Sequence, residues 1–152
     1  MKLPRIALLS LALFAAAGAA QAAPNCTIKL KGDDRMQYDL KTATVSASCK
    51  TVTIQLAHTG KLAAKVMGHN VVVSATPDVA AISAAAIKAG AAAGYVPKGD
   101  ARILAATPMI GGGASTKATF AGSKLKAGGA YTFFCSFPGH SGIMKGTLVV
   151  TK

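Results

Sequence analysis

Short segments in which apolar and polar residues alternate make up most of the chain after residue 25. The clearest is Thr51–His58, where Val52, Ile54 and Leu56 share one face. Alternation with a period of two is typical of a strand that buries one face. The same pattern predicts strands in seven other runs, at 26–30, 36–40, 42–45, 102–104, 116–120, 131–135 and 146–151.

One stretch, residues 79–93, breaks this alternation because it is rich in alanine. Thr76 suits a helix N-cap and Pro77 is tolerated at a first helical position, so the stretch predicts a helix. We expect Ile82 and Ala86 to face inward and the helix to end at one of the two glycines that follow. A loose alanine-rich flap is the alternative.

The valine run at 71–73 is continuous rather than alternating, and it predicts a further strand buried on both sides. The runs number nine at most, and we predict about eight short strands with one inserted helix and no internal repeat. The predicted fold is all-β, a Greek-key β-sandwich or barrel. In such folds functional residues lie on loops at one end of a rigid scaffold.

The N-terminal residues have the pattern of a secretory signal peptide. Lys2 and Arg5 precede an apolar run at 6–20, and Ala20-Gln21-Ala22 resembles a cleavage site. We therefore predict a signal peptide at 1–22 and a single soluble domain at 23–152 that is exported to an oxidising compartment. An uncleaved anchor is the alternative, but the run is shorter than the about 20 residues that span a bilayer.

The charge of the predicted mature chain is strongly positive. Without Lys2 and Arg5, fifteen basic residues face five Asp and no Glu, a net charge of +10. Such a charge attracts anionic surfaces, including acidic redox proteins and lipid headgroups. The lysines are scattered and lack the aromatic pattern of a nucleic-acid module, so no nucleic-acid partner is expected and solubility is the simpler interpretation of the charge. No segment after residue 22 is long and apolar enough to cross a bilayer, so no stable membrane insertion is expected.

Three cysteines leave one unpaired if the compartment is oxidising. Cys26 and Cys49 lie near strand-like segments at the start of the predicted mature chain, and we pair them. Cys135 lies among residue types that bind metals, and we expect it to stay a thiolate. The alternative, a disulfide that includes Cys135, would destroy that site.

The residues with the strongest chemical signal lie in the loop 133–144. Cys135, His140 and Met144 supply a thiolate, an imidazole and a thioether, a soft set that favours copper, and two His with one Cys and a distant Met describe an electron-transfer copper site. A second histidine must come from elsewhere. His69 is the best candidate, and His58, on a predicted strand, is the weaker one.

These motifs together resemble the azurins, a family of bacterial blue-copper cupredoxins. The resemblance is carried by the spacing Cys135-x₄-His140-x₃-Met144, by Phe-Phe-Cys-x-Phe-Pro-Gly-His at 133–140 and by Met-Gly-His-Asn at 67–70. It covers essentially all of the predicted mature chain. The four residues between Cys135 and His140 resemble the corresponding loop of azurins in particular, because other small cupredoxins have shorter loops between these ligands.

The resemblance implies one copper ion with His69, Cys135 and His140 in the equatorial plane. Met144 would be a distant axial ligand, with the Gly68 carbonyl facing it. Asn70 would tie the two ligand loops together, and the backbone amides of Asn70 and Phe137 would donate to the Cys135 sulfur. A buried His58 near the copper is also implied. The residues implied to surround the exposed edge of His140 are Met36, Val66, Met67, Phe137, Pro138 and Ile143.

The function implied is transfer of single electrons between transient periplasmic partners, of the cytochrome or the copper- or haem-reductase type, by a monomer that is not an enzyme. Copper storage or delivery with the same ligands is the alternative. A cysteine-nucleophile enzyme is a weaker one, because the sequence offers no third catalytic group beside Cys135 and His140. The chain departs from many azurins in having no Trp, with Val71 and Val73 in the region where one is common.

Overall fold

The structure is a computed structural model that describes residues 23–152. Its regular elements are β1 (Thr27–Asp33), β2 (Gln37–Tyr38), β3 (Thr42–Ser46), β4 (Thr51–His58), α1 (Ala64–Met67), β5 (Val72–Ala75), α2 (Val79–Ala89), β6 (Ile103–Ala106), β7 (Ser115–Ala121), β8 (Tyr131–Phe134) and β9 (Lys145–Thr151). The signal peptide predicted for residues 1–22 lies outside the described residues. Between residues 23 and 152, no helix has the length and apolar character needed to cross a bilayer.

The strands form two sheets, with orders β2-β1-β4-β7 and β3-β9-β8-β5-β6. The β1–β4 and β3–β9 pairs are parallel and the other pairs are antiparallel. Between the sheets lies one main core, to which both contribute. The all-β prediction is confirmed, with nine strands in the described residues rather than about eight.

The strand β4 has the bounds that the sequence pattern predicts. Val52, Ile54 and Leu56 are all buried, which confirms the predicted core face. His58 is the next residue on that face, and it is buried as well. Because β4 ends at His58, this histidine lies where the core meets the loops at one end of the sandwich.

The predicted helix is confirmed in position but is shorter than its longest predicted extent. It ends at Gly90, whose φ of 74° lies in the left-handed region that glycine tolerates best. Ile82 and Ala86 are buried as predicted. The capping prediction was wrong: the hydroxyl of Thr76 pairs with that of Thr132 at 2.9 Å and caps no helix, and residues Thr76–Asp78 form a short 3₁₀ turn.

The valine run is buried on both sides because each side meets a different layer. Val71 and Val73 belong to the main core, whereas Val72 packs with Ile82 of α2 and with Phe134 in a second, smaller cluster. The three consecutive valines therefore contribute side chains to two separate cores.

The predicted disulfide is present between Cys26 and Cys49, with Cα atoms 5.6 Å apart. It joins the start of β1 to the segment just before β4, at the opposite end of the sandwich from His58. Cys135 is free and buried, so the alternative that placed it in a disulfide was wrong. The crosslink and the free thiol thus occupy opposite ends of the fold.

Replacing both bridged cysteines, as Cys26→Ser/Cys49→Ser, should lower the free energy of unfolding by about 3 kcal/mol, because the 23-residue loop is no longer closed in the unfolded chain. Guanidinium denaturation measures the change. Metal binding should be retained, since the bridge is far from Cys135. A double variant as stable as the parent would contradict the prediction.

Candidate metal centre

Three side chains from distant parts of the chain meet at the end of the sandwich that carries His58, which we call the site end. The potential ligand atoms of His69, Cys135 and His140 lie within 4.8 Å of one another, and all three residues are buried. His69 lies between α1 and β5, Cys135 directly follows β8, and His140 lies in the loop before β9. The structure therefore brings together the three residues predicted as the equatorial set.

The loop that carries two of these residues is closed by its own backbone. The amide of Cys135 donates to the carbonyl of Met144 at 2.9 Å, and the amide of Met144 donates to the carbonyl of His140 at 2.8 Å. The amide of His140 in turn donates to the carbonyl of Phe137 at 3.0 Å. The turn that this bond closes includes Gly139, whose φ is 82°. The turn fixes the spacing from Cys to His to Met before any metal binds.

Asn70 connects this loop to the segment that carries His69. Its side-chain oxygen accepts from the amide of Ser136 at 2.9 Å, and its side-chain nitrogen donates to the hydroxyl of Ser136 at 2.8 Å. The backbone carbonyl of Asn70 accepts a hydrogen bond from the hydroxyl of buried Tyr38. Sequence reasoning named Asn70 and missed Tyr38 and Ser136, whose roles depend on contacts between segments far apart in the chain.

The surroundings of His69 indicate that a cation fits here. Its Nε2 lies 2.8 Å from the carbonyl oxygen of Asp33, and its Nδ1 lies 2.9 Å from that of Gly68. Burial lowers the pKa of His69, which favours the neutral ring with one proton. One nitrogen therefore directs a lone pair at a carbonyl oxygen. The lone pair and the carbonyl oxygen repel each other. If the proton is on Nε2, Nδ1 can bind a metal ion, and the bound ion relieves this repulsion.

The thiol of Cys135 is fully buried between the two histidine-bearing segments. Its Sγ lies 3.5 Å from Nδ1 of His140 and 3.7 Å from the carbonyl oxygen of Gly68. Burial raises the pKa of Cys135 to about 11, and the backbone amides of Asn70 and Phe137 act in the opposite direction because they stabilise the thiolate. Without a cation the group is a neutral thiol at pH 7, and metal binding requires its deprotonation.

Met144 and Gly32 define another wall of the site. Met144 is completely buried, and its terminal methyl lies 2.8 Å from where a Cβ on Gly32 would stand. The same hypothetical atom would be 3.0 Å from the ring of His69. Gly32 therefore leaves room for both side chains, a requirement that its place in a strand does not reveal. The donor set of two imidazoles, a thiol and a nearby thioether is chemically suited to copper.

His58 lies closer to the site than its position on a strand suggested. Its ring stacks on that of His69, with centroids 4.2 Å apart and planes at 14°. Its Nε2 lies 2.8 Å from the carbonyl oxygen of Met67, and its Nδ1 accepts from the amide of Gly60 at 3.1 Å. The cluster contains His69 and not His58, as expected. His58 is buried beside His69, as the resemblance implies, because the buried face of β4 ends there.

An aromatic contact joins the alanine-rich insert, residues 79–95 including α2, to the site. The ring of Phe137 packs against that of His140 with centroids 4.6 Å apart, and Tyr95 meets Phe137 edge-on at 5.2 Å. Tyr95 follows α2 and has a φ of 55°, which is uncommon for a residue with a side chain. No local sequence signal identified Tyr95, since the contact depends on how the whole insert folds back.

An all-β sandwich with a buried His-Cys-His cluster and a nearby Met defines a cupredoxin-type metal protein. The family model described as copper binding proteins, plastocyanin/azurin family, matches residues 24–151. The chain belongs to this family.

Individual azurins are similar to this chain over most of its length. The azurin of Bordetella pertussis is 50% identical over 138 residues, which are 91% of this chain and 92% of that protein. The azurin of Alcaligenes faecalis is 50% identical over 123 residues, 81% of this chain and 96% of that protein. A solved structure of the azurin Az-iso2 from Methylomonas sp. strain J has a TM-score of 0.80 and 38% identity, and covers 84% of this chain and 98% of its own.

The family and the geometry together identify the metal as copper and the protein as a blue-copper electron-transfer protein. His69, Cys135 and His140 are positioned to bind the ion. The resemblance to azurins drawn from the ligand motifs is confirmed by these comparisons.

Asn70→Ala should lower the free energy of unfolding by about 2–3 kcal/mol, because it leaves the buried amide of Ser136 without a partner and separates the two ligand segments. Urea denaturation of the metal-free protein measures it. Asn25→Ala is the matched control, since the side chain of Asn25 also makes two hydrogen bonds but is exposed. Equal effects of the two changes would contradict the role of Asn70.

The metal-free protein should lose stability as the pH falls from about 6.5 to about 4. Burial, with added repulsion from His69 and His58, lowers the pKa of His140 from 6.5 to about 4, and that of His69 is lowered too. In this window the unfolded chain binds more protons than the folded chain, so acid favours unfolding. Denaturation midpoints at pH 7.5 and 4.5 test this.

The two carboxylates that are paired with arginines do not account for that window. Salt bridges to arginines lower the pKa values of Asp33 and Asp100 from 3.8, so the stability they contribute is lost only below about pH 4. A midpoint that stays constant between pH 7.5 and 4.5 would show that the buried histidines do not resist protonation.

Proposed function

We propose that the mature chain is a soluble periplasmic electron carrier that cycles one copper ion between Cu(II) and Cu(I) and catalyses no reaction of its own. The observation that carries this proposal is the convergence of His69, Cys135 and His140 in a buried cluster. Copper, when bound, supplies a one-electron couple. The protein supplies the donors and the rigid scaffold that holds them.

Rigidity is the main contribution of the chain to electron transfer. The Cys135–Met144 loop is closed by backbone hydrogen bonds, and Asn70 fastens it to the segment of His69. Donor atoms held in this way cannot move far toward the geometry that either oxidation state prefers. Little reorganisation then accompanies the electron, which favours fast exchange.

Met144 and the carbonyl of Gly68 would be weak donors to the ion, in addition to the three stronger ligands. Met144 is buried beside His69 against Gly32, and the Gly68 oxygen lies 3.7 Å from the sulfur of Cys135. The backbone amides of Asn70 and Phe137, which stabilise the thiolate, would tune the reduction potential. Phe137 also packs on the ring of His140, so it affects that ligand in a second way.

Electrons would leave at the edge of His140, which the azurin resemblance places inside an apolar patch. Among the patch residues, Val66 is 56% exposed and Ile143 53%, although His140 itself is only 3% exposed. Exposed aliphatic side chains beside a ligand suit brief contact with a redox protein over a small interface. The partners proposed are periplasmic proteins of the cytochrome or the copper- or haem-reductase type, met by a monomer.

The competing functions are disfavoured by the state of Cys135. A nucleophilic cysteine needs a lowered pKa and access to substrate, whereas burial raises the pKa of this thiol to about 11. Copper delivery needs a thiol that an acceptor can reach, and Cys135 has no exposed surface. The disulfide and the predicted signal peptide at 1–22 support the periplasm, an oxidising compartment.

The deciding experiment is the visible and electron-paramagnetic-resonance spectrum of the mature protein with Cu(II). We expect an intense blue band that reductant bleaches reversibly, which Cys135→Ser abolishes because the band requires the thiolate. Met144→Leu should keep the colour and raise the reduction potential, since the loss of a weak donor destabilises Cu(II) more than Cu(I). A colourless Cu(II) protein, or colour that survives Cys135→Ser, would refute the proposal.

A further inference from the structure

The positive charge of this protein is not neutralised within its own fold. None of the thirteen lysine ammonium groups among residues 23–152 lies within 4.0 Å of a carboxylate. Four of the five carboxylates have other partners: Asp33 binds Arg35, Asp100 binds Arg102, Asp34 accepts from the backbone amides of Lys61 and Leu62, and Asp39 accepts from that of Lys31. The lysine charges are therefore available to a partner.

Two of these lysines lie in the segment that leads into the metal centre. Lys61 and Leu62 are exposed side by side, and Lys65 and Val66 repeat the pair four residues later. Leu62 is 42% exposed and Val66 56%. The segment 61–66, which we call the basic ridge, thus presents a lysine beside an exposed aliphatic residue twice.

The basic ridge lies against the site. Gly68 directly follows α1, and its carbonyl oxygen lies 3.7 Å from the sulfur of Cys135, so the ridge leads without a break into the site. Three peptide units separate Lys65 from Gly68, which limits their Cα atoms to a separation of about 11 Å. On the neighbouring turn Arg35 balances the charge of Asp33. Asp34 accepts only from the backbone amides of Lys61 and Leu62, so it keeps its charge and offsets one of the two lysines, and the ridge with this turn remains positive overall.

We propose that the basic ridge is the electrostatic part of the docking surface and that the partner is an acidic one-electron redox protein, with carboxylates around an apolar contact area. This inference rests on the proposed function. Lys61 and Lys65 would steer the encounter, and Leu62 and Val66 would form the short-range contact. One electron passes between the copper site and the partner's redox centre, so no further reactant is required.

A protein partner fits the basic ridge better than a lipid surface does. Its helix, Ala64–Met67, is a single turn, whereas helices that lie in a membrane interface need a long apolar face. The ridge also adjoins a metal ligand segment, where a redox partner can come close to the copper site. Small interfaces that combine charge steering with a few apolar contacts are typical of transient redox encounters.

The test compares two double variants that change the net charge equally. Lys61→Gln/Lys65→Gln removes the charges of the basic ridge and keeps the backbone amide that Asp34 binds. Lys50→Gln/Lys152→Gln is the control, because both residues are exposed and Lys50 precedes β4, about 25 Å from its site end. The probes are mitochondrial cytochrome c, which is basic, and its succinylated form, which is acidic and has the same haem.

Stopped-flow rates of electron exchange at low ionic strength should separate the variants. With succinylated cytochrome c we expect the ridge variant to react about five-fold more slowly than the parent, and the control variant less than about two-fold more slowly. With native cytochrome c the ridge variant should react faster than the parent. All differences should shrink at about 0.5 M salt, where charges are screened within a few ångströms.

A binding measurement that does not depend on electron transfer completes the test. Titration of the ¹⁵N-labelled Cu(I) protein with reduced succinylated cytochrome c should shift amide resonances of residues 61–67 and of Ile143. Equal slowing by the two double variants, or shifts centred elsewhere, would overturn the inference while leaving the copper function intact. The inference would also be overturned if the parent protein, but not the ridge variant, sedimented with phosphatidylglycerol vesicles and neither protein bound the cytochrome. A protein that exchanges electrons with neither cytochrome would instead contradict the proposed function.

Discussion

The paired hydrogen bonds between Asn70 and Ser136 are the contact on which the metal centre depends. His69 lies 66 residues before Cys135, and the two belong to different loops, one just before β5 and the other just after β8. Adjacent strands bring the loops near each other, but only a side chain that both donates and accepts can fix one loop to the other. Because both partners are buried, an alternative bond to water is not available, and the contact is correspondingly difficult to break.

Much of the architecture could be predicted from the sequence because it follows from local pattern. The alternation of β4 and the alanine-rich stretch of α2 each reflect a single rule of burial. The three ligands and Met144 were recognisable because soft donors at fixed spacing have few other uses. Thr76 misled the capping prediction because a hydroxyl in a crowded turn can bond across to another strand, here to Thr132, instead of to the helix.

The contacts that sequence reasoning missed are those that require the complete fold. Nothing near Tyr38 or Gly32 in the chain indicates that one bonds to Asn70 and that the other leaves room for Met144. His58 differs from these residues, since the resemblance implies that it is buried near the metal and its position in the alternation of β4 puts it on the buried face. That face continues to the end of the strand, and the stacked ring of His69 is what covers it there.

The edge-on contact of Tyr95 with Phe137 links the alanine-rich insert to the metal centre. Alanine stretches in loops generally tolerate insertions and deletions, but this one ends in a ring that touches the neighbour of a copper ligand. A gain or loss of one helical turn would displace that ring. The length of the insert and the electronic properties of the copper site are therefore expected to change together during evolution.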